Sequence, residues 1–210
     1  MTTVDAPGDT AAHEGAVRAF AAAADWFVAT TALVGGRWEE PGLGEWDVRA
    51  LVGHTSRSLS TVESYLAAPA GAVEVATTAG YYRATSALAA GPGVAQRGRD
   101  AGAALGADPA AAVAQLAARV VPLVAARSGE ELLTTVVGGM RLRDYLPTRT
   151  FELVVHTADL ASALGEPAEP PAPAAAAALE LVAALALDTG RAGRLLLAAT
   201  GRTLPGLTVL

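Results

Sequence analysis

Helical periodicity constrains the fold of this chain more than any other feature of its 210 residues. In residues 14–34, Phe20, Ala24 and Phe27 recur at steps of three and four, which places them on one face of an α-helix. Asp47 is a typical N-cap for a helix that runs to about Leu66. A third helix is predicted over residues 73–90.

Two later helices have equally clear boundaries. Asp108 followed by Pro109 is a strong start signal, because proline suits the first helical position. Asp144 is predicted to begin another helix, which Gly165 ends as a C-cap. Between these segments, residues 89–107 are rich in glycine and fit either a loop or a continuation of the third helix.

The remaining segments complete the predicted organisation. Residues 132–143 have β-branched side chains on both sides of Gly138-Gly139, which indicates a short β-hairpin. We expect a disordered leader over 1–11, with His13 beside it in that leader region, and a bundle over 12–165. A proline-rich linker over 166–174 and a C-terminal helical extension with a tail over 175–210 would follow. The sequence therefore predicts an all-α fold, a four-helix bundle with a hairpin and an added C-terminal helical segment.

Composition excludes several classes of function. The net charge is −6, and all 15 basic residues are scattered arginines, so neither nucleic acid nor a membrane surface is an expected partner. No apolar run approaches the roughly 20 residues of a membrane-spanning helix. The acidic, polar N-terminus does not have the order of a secretion signal. We expect a cytoplasmic protein, a monomer or a homodimer, that acts on a small molecule.

The chain contains no cysteine. Disulfides, thiolate nucleophiles and sulfur ligands to a metal are therefore excluded. Any metal must be held by histidine, aspartate or glutamate, and any thiol chemistry needs a thiol from outside the chain.

Four ionisable side chains share one stripe of the helix that contains "RTFELVVHTADL", residues 149–160. Glu152 and His156 are four residues apart and stand one above the other, with Arg149 and Asp159 on the same face. Such a stripe is either exposed to solvent with ordinary ion pairs or lines a polar cavity. His54, two turns into the helix after Asp47, is either a satisfied structural histidine or a ligand that faces this stripe.

These two segments carry a resemblance to a known family. The stretch "WDVRALVGH" (46–54) followed by "RTFELVVHTADLASALG" (149–165) resembles the mycothiol-dependent maleylpyruvate isomerase family, whose members are DinB-like metal-binding four-helix bundles. The resemblance implies that His54, Glu152 and His156 are the three ligands of a divalent metal. Zinc suits two nitrogens and one carboxylate oxygen best, and nickel, manganese or iron are alternatives.

The resemblance also suggests roles for nearby residues. Asp159 would either orient the imidazole of His156 or be a surface acid at the end of the helix. Arg149 would hold a substrate carboxylate or pair with an acid. Arg83 and Arg57 are further candidates for binding anionic groups, Arg57 those of the cosubstrate. Trp46 would pack where its helix begins and has no expected chemical role.

The function implied by the resemblance is that of an isomerase or S-transferase that depends on a metal and on the thiol mycothiol, a cosubstrate of GC-rich actinobacteria. A metal-bound thiolate would add to an electrophilic small molecule. Two alternatives are a non-catalytic bundle that binds a metal or a small ligand, and a metal-dependent hydrolase.

Overall fold

The structure, a computed structural model, describes residues 7–89 and 93–202. Eight helices lie within these residues: α1 (Pro7–Ala32), α2 (Val48–Leu66), α3 (Thr78–Ala89), α4 (Val94–Ala104), α5 (Pro109–Ala125), α6 (Leu142–Leu164), α7 (Ala172–Asp188) and α8 (Ala192–Ala199). Two antiparallel strand pairs accompany them: β1 (Pro41–Leu43) with β2 (Trp46–Asp47), and β3 (Leu132–Thr135) with β4 (Gly138–Arg141). The predicted all-α class with a short hairpin is confirmed.

Four of the helices form a closed bundle. α1 packs against α5 and α6, and α2 packs against the same two helices from the other side. The core between them is filled by fully buried side chains that include Phe20, Phe27, Leu59 and Leu153. Helix α7 covers α1 and α6, while α3 packs against α6 and α7. The third helix of the sequence is therefore an addition beside the bundle and not one of its four members.

The predicted helix boundaries are confirmed where a side chain caps the start of a helix or a glycine ends it. Asp47 accepts a hydrogen bond from the backbone N–H of Ala50 at 2.7 Å, and Asp108 caps α5 in the same way. Gly165 ends α6 with a left-handed φ of 72°. The predicted start of α6 at Asp144 is wrong by two residues: β4 runs directly into the helix, and Asp144 lies in its first turn.

Two predictions for residues 73–107 need correction. The third helix begins at Thr78 and not at residue 73, because the backbone N–H groups of Glu74 and Val75 are bonded to the carbonyl of Gly139. Residues 94–104 form a separate helix, α4, which packs closely on α2. A Cβ placed on Gly53 would lie 2.1 Å from the backbone nitrogen of Gly102. The glycines that suggested a loop therefore allow two helices to approach closely.

The hairpin and the N-terminal region also differ from expectation. The turn between β3 and β4 lies at Val136 and Val137, not at Gly138-Gly139. Gly139 lies in β4. A Cβ at this position would lie 2.0 Å from the carbonyl oxygen of Ala72, so the close contact requires glycine. Between α1 and α2, β1 pairs with β2 in a second short antiparallel arrangement.

His13 is not part of a disordered leader. It lies in α1, is 7% exposed, and its Nε2 is 3.1 Å from the carbonyl oxygen of Arg127 after α5. Residues 7–11 of the predicted leader belong to the same helix, while residues 1–6 lie outside the described residues. A long-range contact thus orders the start of the bundle.

The C-terminal part is helical, as expected, and begins at Ala172, three residues earlier than predicted. One face of α7 is buried through Ala174, Ala178 and Leu181, whereas α8 has no buried residue. No single helix in the described part of the chain has the length and apolarity to cross a membrane. Within residues 7–89 and 93–202, α4 and α5 taken together have the required length and composition, with a 93° bend between them.

The contact between α2 and α4 can be tested with Gly53→Ala. The added methyl group would collide with the backbone of Gly102, so we expect the free energy of unfolding to fall by about 1–3 kcal/mol. Gly193→Ala, in an open position of α8, is the control and should be neutral or stabilising by up to about 1 kcal/mol. Urea denaturation of both variants measures the difference, and a Gly53→Ala protein as stable as the wild type would contradict the close helix contact.

Candidate metal centre

Helices α2 and α6 bring together three side chains that were predicted as metal ligands. His54 projects from α2, and Glu152 and His156 project from successive turns of α6. One ligand atom from each residue lies within 4.8 Å of the others. Oε2 of Glu152 is 3.4 Å from Nε2 of His156, and the two imidazole rings are 4.8 Å apart between centroids at 87°. These three residues could therefore hold one metal ion.

The charges of the cluster are strongly coupled. Burial would raise the pKa of Glu152, but the hydrogen bond with His156 and the positive charge of Arg149 outweigh it and lower that pKa to about 2. Burial would lower the pKa of His156, but its contacts with Asp159 and Glu152 raise it to about 9. The carboxylates of Asp159 and Glu152 thus favour a positive charge at His156. A proton on the ring or a metal cation bound to it can supply that charge.

His54 has the opposite tendency. Burial, followed by the nearby positive charge of His156, lowers the pKa of His54 to about 4. The imidazole is therefore neutral at physiological pH, which is the form that binds a metal. Its Nδ1 is fully buried and has no hydrogen-bond partner among the described residues.

Asp159 and Tyr82 form hydrogen bonds with two of the three candidate ligands, at atoms that face away from the cluster. Oδ2 of Asp159 accepts a hydrogen bond from Nδ1 of His156 at 3.1 Å, which leaves Nε2 directed toward the cluster. The hydroxyl of Tyr82 on α3 donates to Oε1 of Glu152 at 3.0 Å, so Oε2 is the oxygen that faces His156. Contacts of this kind fix the orientation of metal ligands. Asp159 therefore contacts His156, and its role in orienting a metal ligand stays a prediction.

The donor set and its surroundings fit a divalent cation. Two imidazoles and one carboxylate match the ligands that zinc and similar metals take, and the carboxylate is anionic at neutral pH. The side chains of Glu152 and His156 are only 22% and 17% exposed, so a bound ion would be shielded from bulk solvent. The flanking acid Asp159 would balance part of its charge.

The cluster lines a cavity of about 1150 Å³. Its walls come from α2, α3, α4, α6 and α7, together with Trp46 of β2 and Val136 of the hairpin turn. Five arginines take part: Arg57, Arg83, Arg97, Arg149 and Arg191. The carboxylates among the lining residues are those of Glu152 and Asp188, so the wall carries an excess of positive charge.

The arginines that the sequence suggested as anion ligands differ in their surroundings. Arg149 lies over the rings of Tyr145 and Tyr81, at 5.0 and 5.4 Å from the centroids, and donates from Nε to Thr148. Its terminal nitrogens have no acceptor in the described part of the chain. Arg83 instead forms an ion pair with Asp188 of α7.

Arg57 lines the same cavity one turn after His54. Its guanidinium makes no hydrogen bond or ion pair with the residues that the structure describes. Arg149 and Arg57 therefore have guanidinium groups available to an anionic ligand, while that of Arg83 is neutralised by a carboxylate.

Sequence reasoning missed Tyr82 as part of the site. Tyr81 and Tyr82 are adjacent on α3 and have no spacing signal that relates them to Glu152, which lies 70 residues later. Only the packing of α3 on α6 places the phenol beside the carboxylate. Trp46, expected only to pack, also lines the cavity.

The chain matches the model of one known family. The family model for the mycothiol maleylpyruvate isomerase N-terminal domain, a DinB-like fold, matches residues 18–161. This span covers more than half of the chain and includes all three candidate ligands, whereas α7 and α8 lie beyond it. No curated protein and no solved structure was found to match the chain.

Replacement of any one candidate ligand should abolish stable metal binding. We expect His54→Ala and His156→Ala each to lose bound zinc after dialysis, because two remaining donors do not hold a divalent ion tightly. Metal content is measured by elemental analysis of the purified proteins. His13→Gln, which changes the one other histidine of the chain, should keep the wild-type zinc content, and equal zinc in all variants would contradict this site.

Tyr82→Phe tests the support of Glu152. Without the phenol hydroxyl, Oε1 of Glu152 loses its hydrogen bond, and we expect the affinity for zinc to fall by about 10–100-fold. A competition titration with a chromophoric chelator gives the affinity. Tyr65→Phe, outside the cavity, should leave it unchanged; a Tyr82→Phe protein with wild-type affinity would show that the contact does not support the ligand.

Proposed function

Because the chain belongs to the mycothiol maleylpyruvate isomerase N-terminal domain family, we propose that it is a metal- and thiol-dependent enzyme that acts on an electrophilic small molecule. The proposed cosubstrate is mycothiol, and the proposed reaction is an isomerisation or an S-transfer. Zinc is the expected metal, with nickel, manganese and iron as alternatives.

One observation carries this proposal. Two imidazoles and a carboxylate from two helices converge within 4.8 Å on the wall of a large cavity. In the described residues this group has three members, which leaves coordination positions for an exogenous ligand. Since the chain has no cysteine, a thiol at this place must come from a cosubstrate.

We propose that the cavity holds the cosubstrate and the electrophile together. Pockets for one drug-sized ligand usually have volumes of roughly 300–1,000 Å³, and this cavity reaches about 1150 Å³. A metal held by His54, Glu152 and His156 would lower the pKa of a bound thiol, so that the thiolate forms near neutral pH. The remaining space would accept the electrophile next to the sulfur.

The residues of the chain have distinct roles in this proposal. His54, Glu152 and His156 hold the cation, and Asp159 and Tyr82 keep His156 and Glu152 in their orientations. The guanidinium of Arg149, fixed over two tyrosine rings, binds a carboxylate of the substrate and stabilises negative charge that develops on it. Arg57 binds an anionic or polar group of the cosubstrate.

The proposed reaction forms a bond between the thiol sulfur and an unsaturated carbon of the substrate. The electron pair of the double bond moves toward the activating carbonyl or carboxylate group, where Arg149 would supply the counter-charge. In an isomerase, rotation follows, the C–S bond breaks, and the thiol is released unchanged. In an S-transferase, the adjacent carbon takes up a proton and the thioether is the product.

A thermal shift experiment tests the proposal. We expect mycothiol to raise the melting temperature of the zinc-loaded protein and to have no effect on the metal-free protein, because the thiol binds only where the metal supplies its ligand position. His156→Ala, treated with the same zinc and thiol, is the matched control and should show no shift.

Each result separates the candidate functions. A zinc-loaded protein that mycothiol does not stabilise would contradict the thiol-dependent enzyme and leave a metal-dependent hydrolase or a metal-binding bundle. An equal shift with and without zinc would place the thiol away from the three ligands. Glutathione and cysteine, tested in parallel, distinguish a specific cosubstrate from any thiol.

A further inference from the structure

The two histidines of the metal centre are held in different ways. A histidine that binds a metal usually donates its other ring N–H to a carboxylate, a carbonyl or water, and this contact fixes the ring. His156 follows that pattern, with Nδ1 3.1 Å from Asp159. His54 does not: neither of its ring nitrogens forms a hydrogen bond with residues 7–89 and 93–202, and its Nδ1 is buried. Some other contact must therefore orient its ring.

The ring of Trp46 makes that contact. Its centroid lies 4.5 Å from the centroid of His54, and the planes differ by 32°, so the indole covers one face of the imidazole. Another side of His54 faces the ring of His156 at 4.8 Å, nearly perpendicular. These two rings limit the rotation of the imidazole about its side-chain bonds.

Trp46 is itself fixed from three directions. Its backbone is paired in β2, immediately before the N-cap of α2. Its Nε1–H donates to the carbonyl of Ala95 in α4 at 2.9 Å. Below the ring lies Gly98, where a Cβ would be 2.5 Å from the indole, and the whole residue is only 8% exposed. The indole is therefore a rigid surface and not an adaptable one.

We propose that Trp46 is a positioning residue of the metal centre: its indole, clamped against α4 by Ala95 and Gly98, fixes the ring of His54 in place of a hydrogen bond. The proposal rests on the metal centre of the proposed function. This gives α4 an indirect role in metal binding. The helix contributes no candidate ligand, but it supports the indole against which the ring of His54 packs.

Cobalt(II) binding to the full chain tests this role. Cobalt(II) reports both affinity and geometry through its visible absorption spectrum. We expect Trp46→Leu to weaken cobalt(II) binding by about tenfold or more and to change the positions of the absorption bands. Trp46→Phe keeps a ring over His54 but loses the hydrogen bond to Ala95. Its affinity for cobalt(II) should therefore lie between those of the wild type and Trp46→Leu.

Gly98→Ala is a second, independent variant. It leaves Trp46 and all three ligands intact, and alanine in a helix is ordinarily more favourable than glycine by about 1 kcal/mol. Because the new methyl group would displace the indole, we expect weaker cobalt(II) binding although none of the three ligands is substituted. This variant decides the question if Trp46→Leu does not fold.

Trp38→Phe is the matched control. Trp38 packs near the start of α2 with its ring under Arg49, and it does not line the cavity. Its replacement should leave both affinity and spectrum unchanged. Wild-type affinity and spectrum in Trp46→Phe and Gly98→Ala would overturn the proposal. A wild-type protein that binds no cobalt(II) would instead overturn the metal centre itself, and this inference with it.

Discussion

The packing of α2 against α6 is the contact on which the rest of the site depends. Each helix fixes the relative positions of its own side chains, so Glu152 and His156 stand together wherever α6 lies. His54 joins them only because α2 crosses at the right distance and rotation. The closed arrangement of α1, α2, α5 and α6 sets that crossing, and the close contact of Gly53 with Gly102 secures α2 from its outer side.

The site places charged groups where a bundle would otherwise bury apolar ones. A carboxylate with a pKa of about 2 and a histidine with a pKa of about 9 stabilise one another in the cavity, and each would be costly without its partner. The elements outside the bundle make this arrangement possible. α3 supplies Tyr82 to the carboxylate, and α4 supports Trp46 beside the neutral imidazole of His54. The additions to the four-helix core thus serve the site as well as the fold.

Local spacing placed the ionisable residues of α6 on one stripe, and the family resemblance made two of them candidate ligands. The interval of four between Glu152 and His156 predicted that their side chains stand together, and contact of His156 with Asp159 was one of the two alternatives left open. His54 was chosen through its helix and the family resemblance, and the structure brings it to the same cluster. Tyr82, Gly98 and the burial of His13 were not predicted, because each depends on a contact between segments far apart in sequence. Arg83 was suggested as an anion ligand, but only the position of α7 shows that Asp188 pairs with it.

The sequence by itself determined the helical class, the caps at Asp47, Asp108 and Gly165, and the stripe of ionisable residues on α6. These features depend on hydrogen bonds and side-chain neighbours within a few residues of each other, which a linear pattern records directly. Only the tertiary structure decided that the glycines of residues 94–104 belong to a packed helix, that the ring of Trp46 meets that of His54, and which arginines remain available in the cavity. Those outcomes follow from how helices cross and which partners meet, and the free energy of such contacts is shared between distant segments that no local pattern connects.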